Sequence, residues 1–359
     1  MAESGVSMAA VPEPAPLVYV SCAEDRAIHV FRLDAQAATL EPVEVVPVPG
    51  GEGASPSNMP LAFNAGGTML YAALRRPPFH VASFSVDRAS GRLAPMGTAP
   101  LPAAMAYIAV AGGGRLLLAA SYTDGKLSVS RIGADGVVRD GAVQVVETDP
   151  KAHCIIAGRC PGSIYATTVH GNAILHFRLD AEAGRLIPAA VPQVTLRAGS
   201  GPRHLRLHPA LDVLYCVTET AGTLAAFTVE PGSGALREMQ YENLVAEGFQ
   251  GNARAADLHL TPDGRFAYAS VRPDSIIKGF RVDPASGRLA PIGTFNVEGS
   301  PRGFGIDPNG RFIICGGQDG NTIGLYEIDQ ASGALTLRQR IAAGGNPSWV
   351  ETRRGSGQA

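Results

Sequence analysis

One phrase recurs along this sequence with a period of about fifty residues. In its clearest copy, Val282–Leu289, an apolar residue and an acid end a strand, a Pro-Ala-Ser-Gly turn follows, and a leucine opens the next strand. Seven copies end at apolar residues 40, 93, 138, 186, 236, 289 and 335, which gives a mean spacing of about 49 residues. Self-similarity at this period in a chain rich in strand signals predicts a propeller or a solenoid.

Each repeat also carries a turn that is followed by an alternating strand, as in Thr261–Ser270 and Asp307–Cys315. Pro-Asp-Gly and Pro-Asn-Gly are strong hairpin signals. With the strands on either side of the first phrase, each repeat contains four strands, which is the composition of a propeller blade. The sequence therefore predicts an all-β, seven-bladed β-propeller.

The two ends of the chain predict how the ring closes. The first repeat begins at Leu17, which already belongs to its second strand, whereas Asn346–Glu351 resembles the openings of other repeats. We expect the C-terminal strand to complete the first blade, because this would pair backbone edges that otherwise stay open. The expected organisation is a flexible tail over 1–16, a single propeller domain over 17–351 and a flexible tail over 352–359.

The charge and cysteine content of the chain limit the kinds of molecule that it could bind and the compartment in which it could work. Charged residues are 17% of the chain, the net charge is −2 and there is no basic run, which argues against nucleic acid or an anionic membrane as a partner. The first sixteen residues lack the basic start and apolar segment of a signal peptide. The five cysteines form no CxxC pair, which favours reduced thiols. We expect a soluble, cytoplasmic protein that is a monomer or a weak homo-oligomer.

Two repeat positions should face the mouth of the central channel. The first opens the innermost strand of a blade, and its candidates are His153, Arg203, Arg302 and, with an offset of two residues, Arg254. The second ends the next strand, and its candidates are Arg76, Glu219, Arg272, Gln318 and, one residue out of register, Tyr122 and His170.

Several arginines that converge with one glutamate and one histidine predict a site for a small anionic molecule. The alternative is that some of these arginines are exposed or join neighbouring blades by ion pairs. Strand alternation should turn His204 away from the channel, and His259 is interpreted as a strand-end cap. No metal-ligand spacing, phosphate loop or nucleophile elbow is present. We therefore expect no cofactor, although a metal held by residues from separate blades stays open.

Three segments carry a family resemblance: Gly201–His204, Arg254–Gly264 and Ser300–Phe304. They resemble the bacterial 6-phosphogluconolactonases of the seven-bladed propeller type, whose wider family also contains the fungal carboxy-cis,cis-muconate lactonizing enzyme. The resemblance runs from about Leu17 to Glu351. It implies hydrolysis of 6-phosphogluconolactone, a step of the pentose phosphate pathway, by a hydrolase without a cofactor. The chain departs from the bacterial pattern at Ala255, where an aromatic residue is usual.

The resemblance also implies site residues. His153, Arg203, Glu219 and Arg272 match residues proposed for the active site of the muconate branch. In a lactonase, His153 or Glu219 would take a proton from water, and Arg203 and Arg272 would stabilise the oxyanion. The predicted substrate-binding residues are Arg302, Arg254, Arg76, Tyr122, Gln318 and His170.

Two other functions stay open. A muconate-type cycloisomerase would use the same residues to move a proton at carbon. A non-catalytic propeller that binds proteins is disfavoured, because the chain has a single tryptophan and only 6% aromatic residues.

Overall fold

The computed structural model describes residues 15–50 and 57–356, which form seven four-stranded antiparallel sheets and contain no α-helix. The predicted all-β, seven-bladed propeller is confirmed. Each sheet is one blade, and in six of the seven sheets its four strands follow one another in the chain. The first strands of neighbouring blades contact one another, so the first strand of each of these blades is the innermost.

Blade 1 contains β1 (Pro16–Cys22), β2 (Ala27–Asp34), β3 (Thr39–Pro47) and the last strand, β28 (Pro347–Arg354). Blade 2 contains β4 (Leu61–Phe63), β5 (Met69–Leu74), β6 (His80–Val86) and β7 (Leu93–Pro100). Blade 3 contains β8 (Met105–Ala111), β9 (Leu116–Ser121), β10 (Lys126–Ile132) and β11 (Val138–Glu147), with a short 3₁₀ turn at Gly112–Gly114. Blade 4 contains β12 (Ala152–Ala157), β13 (Ser163–Thr168), β14 (Ala173–Asp180) and β15 (Arg185–Thr195).

Blade 5 contains β16 (Pro202–Leu207), β17 (Val213–Thr218), β18 (Thr223–Val229) and β19 (Leu236–Asn243). Blade 6 contains β20 (Ala255–Leu260), β21 (Phe266–Val271), β22 (Ile276–Val282) and β23 (Leu289–Asn296). Blade 7 contains β24 (Pro301–Ile306), β25 (Phe312–Gly317), β26 (Thr322–Ile328) and β27 (Leu335–Ala342).

The acid of the recurring phrase builds the turn between the two outer strands of a blade. Asp283 Oδ1 accepts hydrogen bonds from the backbone N–H groups of Ala285 and Ser286, at 3.1 and 2.7 Å. Gly287 then adopts a φ of 72°, which a residue with a Cβ rarely does. The turn combines a polar acceptor with a residue at positive φ, and this explains why the phrase recurs. Glycine is favoured at the second place and not required, since the first copy has Ala38 there with a φ of 53°.

The same glycine also joins neighbouring blades. Tyr215 in β17 donates its hydroxyl hydrogen to the carbonyl of Gly287 in the next blade at 2.6 Å. Four further tyrosines of second strands repeat this contact with the next blade: Tyr19 to Gly91, Tyr71 to Gly136, Tyr165 to Gly234 and Tyr268 to Gly333. Because a buried hydroxyl needs a partner, each of these tyrosines fixes the spacing between two blades.

The ring closes as the ends of the sequence predict. Strand β28 pairs antiparallel with β1, with Val350 opposite Val20, and so becomes the innermost strand of blade 1. It continues to Arg354, beyond the expected end of the domain at residue 351. The rest of the predicted tails, residues 1–14 and 357–359, lies outside the described residues. No helix in the described ranges is long and apolar enough to span a bilayer.

Candidate active site

Innermost strands carry a β-bulge at the first of the two positions that the sequence selects. Pairing of Pro202 with Thr218 and of His204 with Val217 leaves Arg203 without a partner in the register. Arg302 occupies the same place in β24, and His153 lies in the shifted segment of β12. Because a bulge bends its strand and re-aims side chains, long polar residues at this position can enter the mouth of the channel.

A cavity of about 220 Å³ lies where these strands meet. We call it the arginine cavity, and it is lined by Ser57, Arg75, Tyr122, His153, Glu219, Arg254, Arg272 and Arg302. These residues lie in blades 2 to 7 or in the loops that lead into these blades. Four arginines and one carboxylate give the lining a clear excess of positive charge, as an anion site requires.

Glu219 is the only acidic residue in this lining, and two arginines contact it. Arg203 Nε lies 3.1 Å from Glu219 Oε2, and Arg272 Nη2 lies 3.2 Å from Oε1. Burial raises the pKa of the Glu219 carboxyl, but Arg203, Arg272 and Arg302 together hold that pKa below its ordinary value. Glu219 is therefore ionised at neutral pH, and it offsets part of the positive charge.

His153 is a neutral, buried imidazole at the edge of the cavity. Its ring packs edge-on against Tyr122 and His204, at centroid distances of 5.4 and 5.0 Å. Nδ1 is buried and has no hydrogen-bond partner within the described part of the chain. Burial and the nearby Arg203 hold the pKa of His153 well below its usual range. A buried polar atom without a hydrogen-bond partner, such as this Nδ1, is rare in native proteins.

The arginines repel one another. Burial and the charge of Arg203 lower the pKa of Arg75 to about 10 and that of Arg272 to about 10. Burial and neighbouring arginines also lower the pKa of Arg302 well below its ordinary value. Asn58 offsets part of this electrostatic repulsion, because its Oδ1 accepts from Arg75 Nη1 at 2.6 Å. A bound anion would relieve the remainder, so the arrangement favours a substrate with at least one negative charge.

Most of the predicted site residues come together. His153, Glu219, Arg254, Arg272, Arg302 and Tyr122 line the arginine cavity, and Arg203 contacts Glu219 from a position that is 1% exposed.

Three predicted binding residues lie elsewhere. Arg76 is exposed, and the preceding residue, Arg75, lines the cavity in its place. The prediction was wrong by one residue, because the number of residues between the end of the second strand and the leucine that opens the fourth strand varies between blades. His170 lines an adjoining cavity of about 310 Å³. Gln318 donates through Nε2 to the carbonyl of Ser57 at 3.0 Å, at the rim of the site.

Strand alternation placed one histidine wrongly. His204 does not turn away: its ring lies 5.2 Å from Tyr107 and 5.7 Å from Trp349, residues of two other innermost strands. The bulge at Arg203 interrupts the alternation on which the prediction depended. His259 lies next to the end of β20, and its Nε2 lies 3.3 Å from Asp257 Oδ2.

The buried histidines predict that the protein is sensitive to acid. Burial, together with Arg203, lowers the pKa of His204 to about 3, whereas an unfolded histidine titrates near 6.5. As pH falls below about 6.5 the unfolded chain takes up a proton that the folded protein does not, so stability is lost by about 1.4 kcal/mol per pH unit. Urea denaturation between about pH 7 and pH 5 should give a shallower pH slope for His204→Gln than for the wild type. Equal slopes would contradict the assignment.

Comparisons with known proteins agree with this architecture. A family described as lactonase, seven-bladed β-propeller, matches residues 17–352. A 6-phosphogluconolactonase of Serratia proteamaculans is 37% identical over 334 residues, covering 93% of this chain and 98% of the relative. A second one, of Pectobacterium carotovorum, is 34% identical over 93% of this chain and 97% of the relative. Among solved structures, the periplasmic gluconolactonase of Pseudomonas aeruginosa superposes with a TM-score of 0.86 at 26% identity, covering 95% of this chain and 99% of the other.

Proposed function

We propose that this chain, which belongs to the lactonase family of seven-bladed β-propellers, hydrolyses the ring ester of 6-phosphogluconolactone to give 6-phosphogluconate. The observation that carries the proposal is the arginine cavity, in which a neutral imidazole and one carboxylate stand among four arginines. The relatives from Serratia and Pectobacterium, named 6-phosphogluconolactonase, support the choice of substrate.

His153 is the general base in this proposal. His153 lines the cavity, and burial and Arg203 lower its pKa, so its imidazole is neutral and can accept a proton. Both oxygens of Glu219 instead lie within ion-pair distance of arginines, at 3.1 and 3.2 Å. A water molecule beside His153 attacks the lactone carbonyl carbon while the imidazole takes one of its protons. A general base of this kind contributes roughly 10²–10⁴-fold to the rate.

Arg272 stabilises the oxyanion that forms on the carbonyl oxygen. It lines the cavity, and its Nε is fixed by a 2.8 Å hydrogen bond to the carbonyl of Arg254. Arg203 is nearly fully buried and is absent from the lining, so we assign to it the positioning of Glu219 and a longer-range electrostatic contribution. One donor aimed at such an oxyanion is worth about 3–4 kcal/mol.

Collapse of the tetrahedral intermediate breaks the bond between the carbonyl carbon and the ring oxygen. The proton held by His153 passes to that ring oxygen, which leaves as a hydroxyl group, and the new acid ionises. The surrounding arginines disfavour a charged imidazole, so they favour rapid transfer of this proton.

Arg75, Arg254 and Arg302 hold the phosphate in this proposal. Replacing Arg75 with glutamine should raise KM for the phosphorylated lactone by about tenfold, because one charge-assisted hydrogen bond is lost. Arg76→Gln is the matched control, since Arg76 is the exposed neighbour, and its KM should equal that of the wild type. Steady-state kinetics of the two variants test the placement. If Arg76→Gln has the larger effect, the placement is wrong.

The experiment that tests the function is a proton-release assay with 6-phosphogluconolactone and with unphosphorylated gluconolactone, each corrected for spontaneous opening. We expect turnover of both, with the larger kcat/KM for the phosphorylated compound. Hydrolysis at the background rate for every lactone would reject the proposal. Loss of muconate absorbance in a parallel assay would favour a cycloisomerase instead.

We also place the protein in the cytoplasm, as a monomer or a weak homo-oligomer. All five cysteines are free, buried thiols, which supports a reducing compartment.

A further inference from the structure

A row of buried side chains leads away from Glu219 into the channel. Arg203, which contacts Glu219, has its Nη1 3.2 Å from His204 Nε2. His204 Nδ1 in turn lies 2.8 Å from Asp257 Oδ1. His204 and Asp257 are absent from the lining of the arginine cavity, so no step of the proposed mechanism involves them directly.

The geometry of the row determines the protonation of His204. A guanidinium can only donate, so His204 Nε2 must accept from Arg203. A carboxylate can only accept, so His204 Nδ1 must carry the hydrogen that points to Asp257. The ring is therefore neutral, with its hydrogen on Nδ1, and each end has one suitable partner.

Asp257 is anchored independently of anything bound in the cavity. Its Oδ1 accepts from the backbone N–H of Leu258 at 2.8 Å, and its Oδ2 accepts from that of Phe304 in blade 7 at 3.3 Å. Its own N–H donates to Ser270 Oγ at 3.0 Å. Blades 6 and 7 thus hold the carboxylate, and the carboxylate holds a histidine of blade 5.

We infer that His204 and Asp257 are positioning residues for the reaction: the carboxylate fixes the imidazole, and the imidazole fixes the guanidinium of Arg203 against Glu219. This inference rests on the proposed function. Arg203 Nη1 also donates to the carbonyl of Ala256, so this nitrogen has two acceptors while Nε faces Glu219. A displaced Arg203 would release Glu219 Oε2 and with it the alignment of Arg272 on Oε1.

Two substitutions of His204 separate positioning from simple packing. In His204→Gln the amide oxygen can reach the place of Nε2 and accept from Arg203. In His204→Asn the shorter amide reaches only the place of Nδ1, so it can donate to Asp257, but Arg203 Nη1 loses the side-chain acceptor and keeps only the carbonyl of Ala256. Both variants lose the aromatic ring, so the loss of packing is similar.

We expect His204→Asn to lower kcat for lactone hydrolysis by about 10–100-fold, because a displacement of about 1 Å in a group that positions the site can cost about 10²-fold. His204→Gln keeps the acceptor for Arg203 and should stay within about threefold of the wild type, with KM little changed in both. Unfolding midpoints measured alongside show whether each variant is folded at the assay temperature. Equal kcat values for the two folded variants, or an effect on KM alone, would overturn the inference.

The tautomer gives a second test that needs no activity. Nitrogen-15 NMR of histidine-labelled wild-type protein without substrate, near neutral pH, should show His204 with its hydrogen on Nδ1. A hydrogen on Nε2, or a charged ring, would overturn the inference even if the enzyme is active. Absence of lactone hydrolysis by the wild type would instead reject the proposed function and leave the tautomer measurement to decide the geometry.

Discussion

Replacing His153 with asparagine is expected to lower kcat for 6-phosphogluconolactone hydrolysis by about 10²–10⁴-fold, the usual contribution of a general base. Asparagine retains a polar group near the position of Nδ1 but cannot take the proton of the attacking water. KM should change little, because the arginines that hold the phosphate are untouched. Steady-state rates corrected for spontaneous opening measure the effect.

The matched control is His176→Asn in β14 of the same blade. His176 is also buried, but it stacks on Tyr165 and lies 3.3 Å from Ser163 Oγ, away from the cavity lining. Its variant should have the wild-type kcat even if it is less stable. Near-normal turnover by His153→Asn together with a large loss in Glu219→Gln would transfer the role of base to Glu219.

Replacing Arg272 with glutamine is expected to lower kcat by about 10²–10³-fold, because a preorganised donor to the oxyanion is removed. The effect should fall on kcat more than on KM, since the charge on the carbonyl oxygen develops only in the transition state. Removing this cation also removes one of the charges that lower the pKa of Glu219. Steady-state kinetics on the purified variant measure both parameters.

Arg281→Gln is the control for this substitution, because Arg281 lies in the same blade, is exposed and donates to the carbonyl of Ala331. It should leave both kinetic parameters at their wild-type values. A raised KM with unchanged kcat in Arg272→Gln would show that Arg272 binds the substrate equally well in the ground state and the transition state. Its assignment as the donor that stabilises the oxyanion would then be wrong.

The fold could be predicted from sequence because its determinants are local and repeated. The turn between the outer strands satisfies its own backbone in most copies, as Asp283 and Asp329 show, and seven copies at this period are compatible with few architectures. The contacts between blades could not be predicted in the same way. The hydrogen bond from Tyr215 to Gly287 joins residues 72 positions apart, and only the closed ring brings them together.

The site could be predicted only in part. Counting along the repeat finds His153, Arg203 and Glu219, because equivalent positions of different blades converge on one mouth. It misses Arg75, since one connection differs in length by a residue, and it misplaces His204, since a bulge interrupts strand alternation.

Two further residues have contacts that the sequence does not show. Asn58 Oδ1 lies 2.6 Å from Arg75 Nη1 and 3.5 Å from Arg302 Nη2 in blade 7. Asp257 is recognised only by the groups from blades 5 and 7 that it holds. Each has at least one partner in another blade, so these contacts could not be predicted before the ring was closed.

A crystal structure of the protein with 6-phosphogluconate bound tests the central claim most directly. We expect the phosphate within hydrogen-bonding distance of Arg302 and at least one of Arg75 and Arg254, and the product carboxylate beside Arg272 and His153. Product bound outside the arginine cavity, for example in the cavity lined by Arg88, Arg353 and Arg354, would contradict the account.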